Sequence, residues 1–492
     1  MRLILQPLSC ELQLHHTSQN RGGARITALM IMATGTTDQM TKTSEIGTAN
    51  PVNLLESLIR KARTLGADSA DAVMFDGQST SASCRLGKIE DVERSEAQDV
   101  GLRVMIGKRQ AIVSTTDTLP ASLDMLADRA VAMAKAAPED PYIGLADEAL
   151  LARPPFPDLE LCDETYVSPD ELEATALRVE DAARAVPGVT NSEGSGASFS
   201  RMHTVLATSA GFAGEYRSSY HGFSVSVLAE GESGMERDYD FTSARHLLDL
   251  ETPEDVGRRA GEHAVRRLNP RKPKTARVPV VFDPRASRSM LGHLAGAVNG
   301  QSIARGTSFL KDMMDKPVFA PGVRIVDDPL MHRGLSSRPF DGEGVAAGAL
   351  DLISDGVLAT WLLDCSSARQ LGLRTNGRGR RGTSSPPSPG TSNLYMDAGA
   401  VTPEDLMSDI EYGFYVTELI GMGVNPVTGD YSRGAAGFWI ENGKITYPVS
   451  ELTIAGTLKD MFKALTPAND LEFRYGINAP TVRIDGLTVA GS

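Results

Sequence analysis

Zinc-dependent hydrolysis needs two histidines close together on a helix, with a glutamate beside one of them to activate the metal-bound water. No histidine here is followed by glutamate, and only His15 and His16 lie within five residues of each other. His203, His221, His246, His263, His293 and His332 are isolated in the sequence and read as structural or surface residues. Phosphate-binding loops fare no better. Gly101 to Lys108 spaces its glycines one residue too widely for a P-loop, and Arg109 stands where a magnesium-holding Ser or Thr belongs. The run Gly377 to Gly382 fits GxGxxG in form but follows no strand-like segment and lies among Pro, Ser and Arg. No GxSxG nucleophile elbow occurs, so Ser195 and Ser233 read as turn residues. Asp341 and Glu343 form a carboxylate pair whose chemistry depends on what faces them.

The chain that would position such groups has 492 residues, enough for two to four domains, with 41 % hydrophobic and 23 % charged residues. A net charge of −14 argues against nucleic acid and anionic membrane as partners. Cys10, Cys84, Cys162 and Cys365 are too scattered for a disulfide framework or a CxxC pair, which points to reduced thiols and a cytoplasmic protein. No apolar run is long enough to span a membrane.

Residues 1–50 lack sustained periodicity and read as a disordered tail or a mis-assigned start, with Met30, Met32 and Met40 as alternative starts. Ordered structure is expected from Asn50-Pro51, a helix cap ahead of the stripe Leu54, Leu55, Leu58, Ile59, Ala62 and Leu65. Strand-like runs follow at Ala72–Phe75, Thr80–Leu86, Leu102–Ile106 and Ala111–Ser114, then a helix over Pro120–Lys135. Ser168 to Glu171 is a capping box, and similar caps stand at Thr252 and Thr402. Alternating strands over Ser198–Thr208 and Glu215–Ala229 come next, and after a basic stretch at Asn269–Pro273 a strand over Val278–Phe282 and a helix over Ser287–Val298. Strand-like runs return at Lys444–Tyr447, Glu451–Ile454 and Thr481–Val489. The order predicts an α+β fold of two lobes with mixed or antiparallel sheets and flanking helices: 51–245, a linker region 246–275, and a β-rich 276–492. Residues 375–393 read as a long loop without packing residues, either a disordered surface loop or one that gates access to a site.

Several stretches resemble the PmbA (TldE) branch of the TldD/PmbA family: Thr208–Arg217, Gly234–Tyr239, Leu291–Gly300, Ile303–Leu310 and Arg324–Asp328. Arg338–Gly344, Tyr415–Gly421, Val424–Ser432 and Ile440–Lys444 continue the series, and the similarity runs from about residue 52 to the C-terminus.

That resemblance implies a set of further expectations. TldD-like members carry HExxxH and a C-terminal Cys as zinc ligands, with the Glu as general base. The matching helix here has Gly292 and Ala297 at the ligand positions and His293 in place of the Glu, and residues 471–492 contain no Cys. The expected chain therefore has no catalytic or metal-binding residues and no cofactor of its own. Zinc is expected in a TldD-like partner, the two chains forming a heterodimer or higher assembly that degrades or processes unfolded peptides. Two other readings stand beside this one: a non-enzymatic regulator acting on gyrase or a toxin–antitoxin system, and a stand-alone hydrolase with an unrecognised site.

Overall fold

The computed structural model describes residues 50–491; the tail expected over 1–50 falls, but for Asn50, outside the described residues. Helix α1 (Pro51–Thr64) buries Leu55, Leu58, Ile59 and Ala62, and Gly66 (φ +106°) turns the chain out of it. There follow β1 (Ser69–Arg85), β2 (Lys88–Ile106), β3 (Arg109–Thr115), α2 (Pro120–Ala136), α3 (Pro169–Arg184), β4 (Val189–Thr208), β5 (Ala213–Gly231), β6 (Gly234–Ala244) and α4 (Pro253–Arg266). The strands make one antiparallel sheet in the order β3-β2-β1-β4-β5-β6.

Side chains along a strand alternate between faces, so residue parity decides what each lobe element touches. On β1 the even positions Ala70, Ala72 and Met74 pack with α1 and α2, while Ala82 and Cys84, further along the same face, pack with α3 and α4. The odd positions Asp71, Val73 and Phe75 look the other way. Two helix pairs thus cover one face of the sheet, leaving its second face for the rest of the chain. Helix α3 starts at the expected capping box, Ser168 and Glu171 satisfying each other's backbone N–H groups, a device that contributes about 1 kcal/mol. The stretch 246–275 contains α4, capped by Thr252.

The second half comprises β7 (Ala276–Phe282), α5 (Pro284–Ala297), α6 (Gly300–Ala304), β8 (Ile325–Asp328), β9 (Leu350–Ser354), β10 (Val357–Leu358), α7 (Cys365–Gln370), β11 (Gly379–Arg380), β12 (Ser388–Pro389) and β13 (Asn393–Met396). It ends with α8 (Pro403–Met407), β14 (Tyr412–Ile420), β15 (Asp430–Glu441), β16 (Lys444–Thr457), α9 (Leu458–Lys463), β17 (Leu465–Pro467), β18 (Ile477–Asn478) and β19 (Val482–Ala490). A mixed six-stranded sheet, β16-β15-β14-β7-β19-β17, curls so that β16 also pairs with β19. A five-stranded sheet, β10-β9-β8-β13-β18, stands beside it. The largest core cluster fills the space between, with Phe282, Met290, Leu291, Leu294, Phe414 and Phe462 fully buried. The fold is α+β, as expected.

Residues 375–393 depart from the reading as a loop without packing residues. Arg378 and Gly379 are buried, as are Thr383 and Ser392, and β11 pairs with β12 as a short hairpin. The hairpin lies against the second face of the N-terminal sheet: Arg381 pairs with Asp71 on β1, and the Thr383 hydroxyl donates to Asp99 on β2. Charge pairing, rather than apolar side chains, holds this stretch down.

Candidate functional site

Helix α5 carries the positions singled out for zinc. Asp283 caps it, its carboxylate accepting from the Arg285 backbone N–H, and Pro284 occupies the first turn. Ala286, Met290, Leu291, Leu294 and Ala297 form the buried stripe. Gly292 and Gly296 lie on the exposed face, with nothing near enough to touch an added methyl group at either position. Ala297 is buried in the core. His293 is half-buried, its ring edge-on to Tyr431 at a centroid distance of 6.0 Å, and its Nε2 has no hydrogen-bond partner among the described residues. Desolvation and then the nearby Arg433 charge push its pKa down to about 4, so the imidazole is neutral at pH 7. Of the three positions, one offers a nitrogen donor and two offer nothing. Among the described residues no three His, Cys, Asp or Glu are grouped so as to hold a metal. Gly292, His293 and Ala297 do not between them fit a zinc ion.

The other histidines are engaged in ways the sequence leaves open. His203 meets Glu215 at 3.0 Å, His221 lies buried 3.6 Å from Asp163, and His332 meets Glu160 at 3.1 Å. His246 Nε2 is 2.8 Å from the Glu160 carbonyl, and His263 stands beside Arg285. His15 and His16 lie outside the described residues. Ser195 donates to the Ala176 carbonyl and sits 3.0 Å from Cys84 Sγ beneath α3. Ser233 is held in its turn by Asn269.

The carboxylate pair sits elsewhere, in a polar seam between the N-terminal sheet and the second half of the chain. Asp341 is fully buried and accepts from the backbone N–H groups of Glu343, Val345 and Gly379. Glu343 accepts from Cys365 N at 2.8 Å. Burial first, then the Asp341 charge, raise the Glu343 pKa to about 8. Burial also raises the Cys365 thiol, with the Glu343 charge adding to it, so this cysteine is a thiol and a poor nucleophile. Asp71 lies opposite. Burial opposes its charge, but Arg103, which donates to it through Nε at 2.8 Å, and Arg381 together hold its carboxyl below the usual range. The arginines of this seam, Arg338, Arg378, Arg380 and Arg381, escape motif reasoning; the one signal for the last three is the density of arginine between glycines at 377–382.

Three domain profiles of one family cover most of the chain. The PmbA/TldA metallopeptidase domain 1 matches residues 70–134, its central domain 162–268 and its C-terminal domain 275–491. The chain belongs to the PmbA/TldA metallopeptidase family. It is 38 % identical to the metalloprotease PmbA of Escherichia coli O157:H7 over 443 residues, spanning 89 % of this chain and 96 % of that protein. The metalloprotease PmbA homologue of Haemophilus influenzae is 36 % identical over 437 residues, 87 % of this chain and 94 % of the relative. The crystal structure of TldE from Thermococcus kodakarensis superposes with a TM-score of 0.80 at 21 % identity, covering 89 % of this chain and all of that one, which fixes the fold. This is a peptidase-type member of the PmbA branch.

Proposed function

We propose that this chain is the TldE-like subunit of a two-chain zinc peptidase, that it contributes no zinc ligand, and that a TldD-like partner carries the metal and the general base. The observation that carries the reading lies on α5. Catalytic zinc takes three protein ligands and leaves one position for water; here the two ligand positions hold Gly292, under open space, and Ala297, buried in the core, beside a neutral His293. The relatives named metalloprotease support a peptidase-type activity. Its substrates are unfolded peptides, because a site enclosed between two chains admits an extended segment that can add as a strand to a sheet edge. The assembly is cytoplasmic: Cys84, Cys162 and Cys365 are all free, and among the described residues no helix is long and apolar enough to cross a membrane.

The test is cleavage of an unstructured peptide by this chain alone, by a TldD-like chain alone, and by the mixture, each with and without a chelator. Cleavage that needs the mixture and is lost on chelation is the expected result. Chelator-sensitive cleavage by this chain alone would overturn the reading.

A further inference from the structure

A cavity of about 210 Å³ lies between the second face of the N-terminal sheet and the segments 338–342 and 379–381. Arg338, Arg380 and Arg381 line it together with the apolar Val73, Phe75, Leu206 and Phe340. Arg338 is 8 % exposed, yet among the described residues its guanidinium makes no hydrogen bond or ion pair, its Nε and one Nη both buried without a partner there. Arg381 spends Nη1 on Asp71 and leaves Nε and Nη2 buried and unused. Arg380, an exposed residue, also lines the cavity, with no carboxylate paired to it among the described residues.

No carboxylate among the described residues lies within ion-pair distance of the Arg338 guanidinium, although the Asp341 charge acts on it from across the cavity. Asp341 also lines the cavity, but its oxygens already accept from three backbone N–H groups, and burial raises its pKa. Asp71 is shared between Arg103 and Arg381. A buried guanidinium with no partner is costly unless an anion completes it, and planar forks of N–H donors match oxyanions two oxygens at a time. In a chain of net charge −14, three converging arginines are a local reversal of sign.

We propose that this cavity binds an organic carboxylate that carries an apolar group, the chemistry presented by a peptide C-terminus ending in an aliphatic residue or by a free acid of that size. The arginines take the carboxylate, and the Phe75–Leu206–Phe340 wall takes the apolar group. Inorganic phosphate would leave that wall unused. The site is separate from the peptidase reading, since binding is read on this chain alone without cleavage.

The experiment is calorimetric titration of the full chain with N-acetyl-leucine, N-acetyl-leucinamide, inorganic phosphate and a short peptide ending in a free leucine carboxylate. N-acetyl-leucine binding that the amide does not match, and that phosphate does not exceed, is expected. The peptide arm separates the two sources: binding as tight as the small acid marks a C-terminus as ligand, and weaker binding marks a free acid. Arg338→Gln and Arg380→Gln should each weaken binding about tenfold or more, the worth of a charge-assisted contact. Arg338→Gln removes an unpaired buried charge, so its melting temperature should not fall, which separates lost binding from lost folding. Equal binding of acid and amide, phosphate binding more tightly than the acid, no heat from any probe, or unchanged affinity in both variants would overturn the proposal.

Discussion

Arg378 and Asp327 form an ion pair from which solvent is wholly excluded: Nε lies 2.5 Å from Oδ2, and neither side chain has exposed surface. The remaining Arg378 nitrogens donate to the carbonyls of Asn376, Asp327 and Gly348 at 2.9, 2.9 and 2.7 Å. Asp327 in turn accepts from the backbone N–H and hydroxyl of Ser392 at 2.6 and 2.8 Å. One aspartate on β8 therefore fastens both ends of the 378–392 segment, and that segment carries the arginines that meet the N-terminal lobe.

Removing one partner of such a pair leaves the other charge buried alone. Asp327→Ala should cost about 3–5 kcal/mol of folding stability, whereas Arg378→Met combined with Asp327→Leu should recover much of it. Urea denaturation of the three proteins checks this. A cost for Asp327→Ala in the range of a surface change, about 0.5 kcal/mol, would mean that the pair does not anchor the segment.

Glu343 sets a pH dependence whose sign follows from its burial. Its folded pKa is raised to about 8 from the ordinary 4.5, so between those values the unfolded chain releases a proton that the folded chain keeps. Stability from this group is full below about 4.5 and is lost progressively as pH rises toward about 8. Glu343→Gln keeps an oxygen for Cys365 N and removes the titration. The variant should therefore gain on the wild type steadily from pH 5 to pH 8 in melting temperature, and a constant difference across that range would refute the assignment.

His293 gives the opposite slope. Its folded pKa is depressed to about 4 from 6.5, so its contribution is present above about 6.5 and is lost as pH falls toward about 4. His293→Leu should flatten that part of the acid limb while leaving cleavage by the mixed subunits intact. A pH-independent difference between variant and wild type would show that the ring is charged or solvated in the folded protein.

The sequence carried what depends on local pattern. The caps at Ser168, Thr252 and Thr402 and the stripe of α1 follow from periodicity and end chemistry, and each stands where those signals put it. Strand limits were less legible: β1 runs unbroken through Asp76 to Ser79, and β2 begins at Lys88, because this ribbon is largely exposed and shows no apolar alternation. Strand β6 went unseen for a related reason, its buried Asp238 and Asp240 being polar residues that Arg267, Arg285 and Arg259 neutralise. The seam between the lobes is legible least of all. Asp71 lies more than three hundred residues from Arg381, and only the fold shows that Arg378 and Arg381 are packed against carboxylates rather than solvated.

Gly101 tests whether that docking matters. It lies on β2 in ordinary extended backbone, on the face opposite Val100 and Leu102, and a Cβ there would come 2.2 Å from the Thr383 carbonyl oxygen and 2.5 Å from its Cα. Neither atom belongs to a flexible side chain, so the hairpin must lift to admit a single methyl group. Lifting it breaks the Thr383–Asp99 hydrogen bond and strains the Arg381–Asp71 pair, while the helix-facing core of the sheet is untouched. Gly101→Ala should therefore leave far-ultraviolet circular dichroism unchanged yet open the peptide bonds after Arg380 and Arg381 to trypsin, with a loss of about 1–3 kcal/mol in stability. Time-resolved proteolysis followed by mass spectrometry reads the cut sites directly. If those bonds resist trypsin as they do in the wild type, the hairpin has room that its close approach to β2 does not allow, and the contact between the lobes must be carried by the aromatic cluster of Phe156, Phe212 and Phe340 instead.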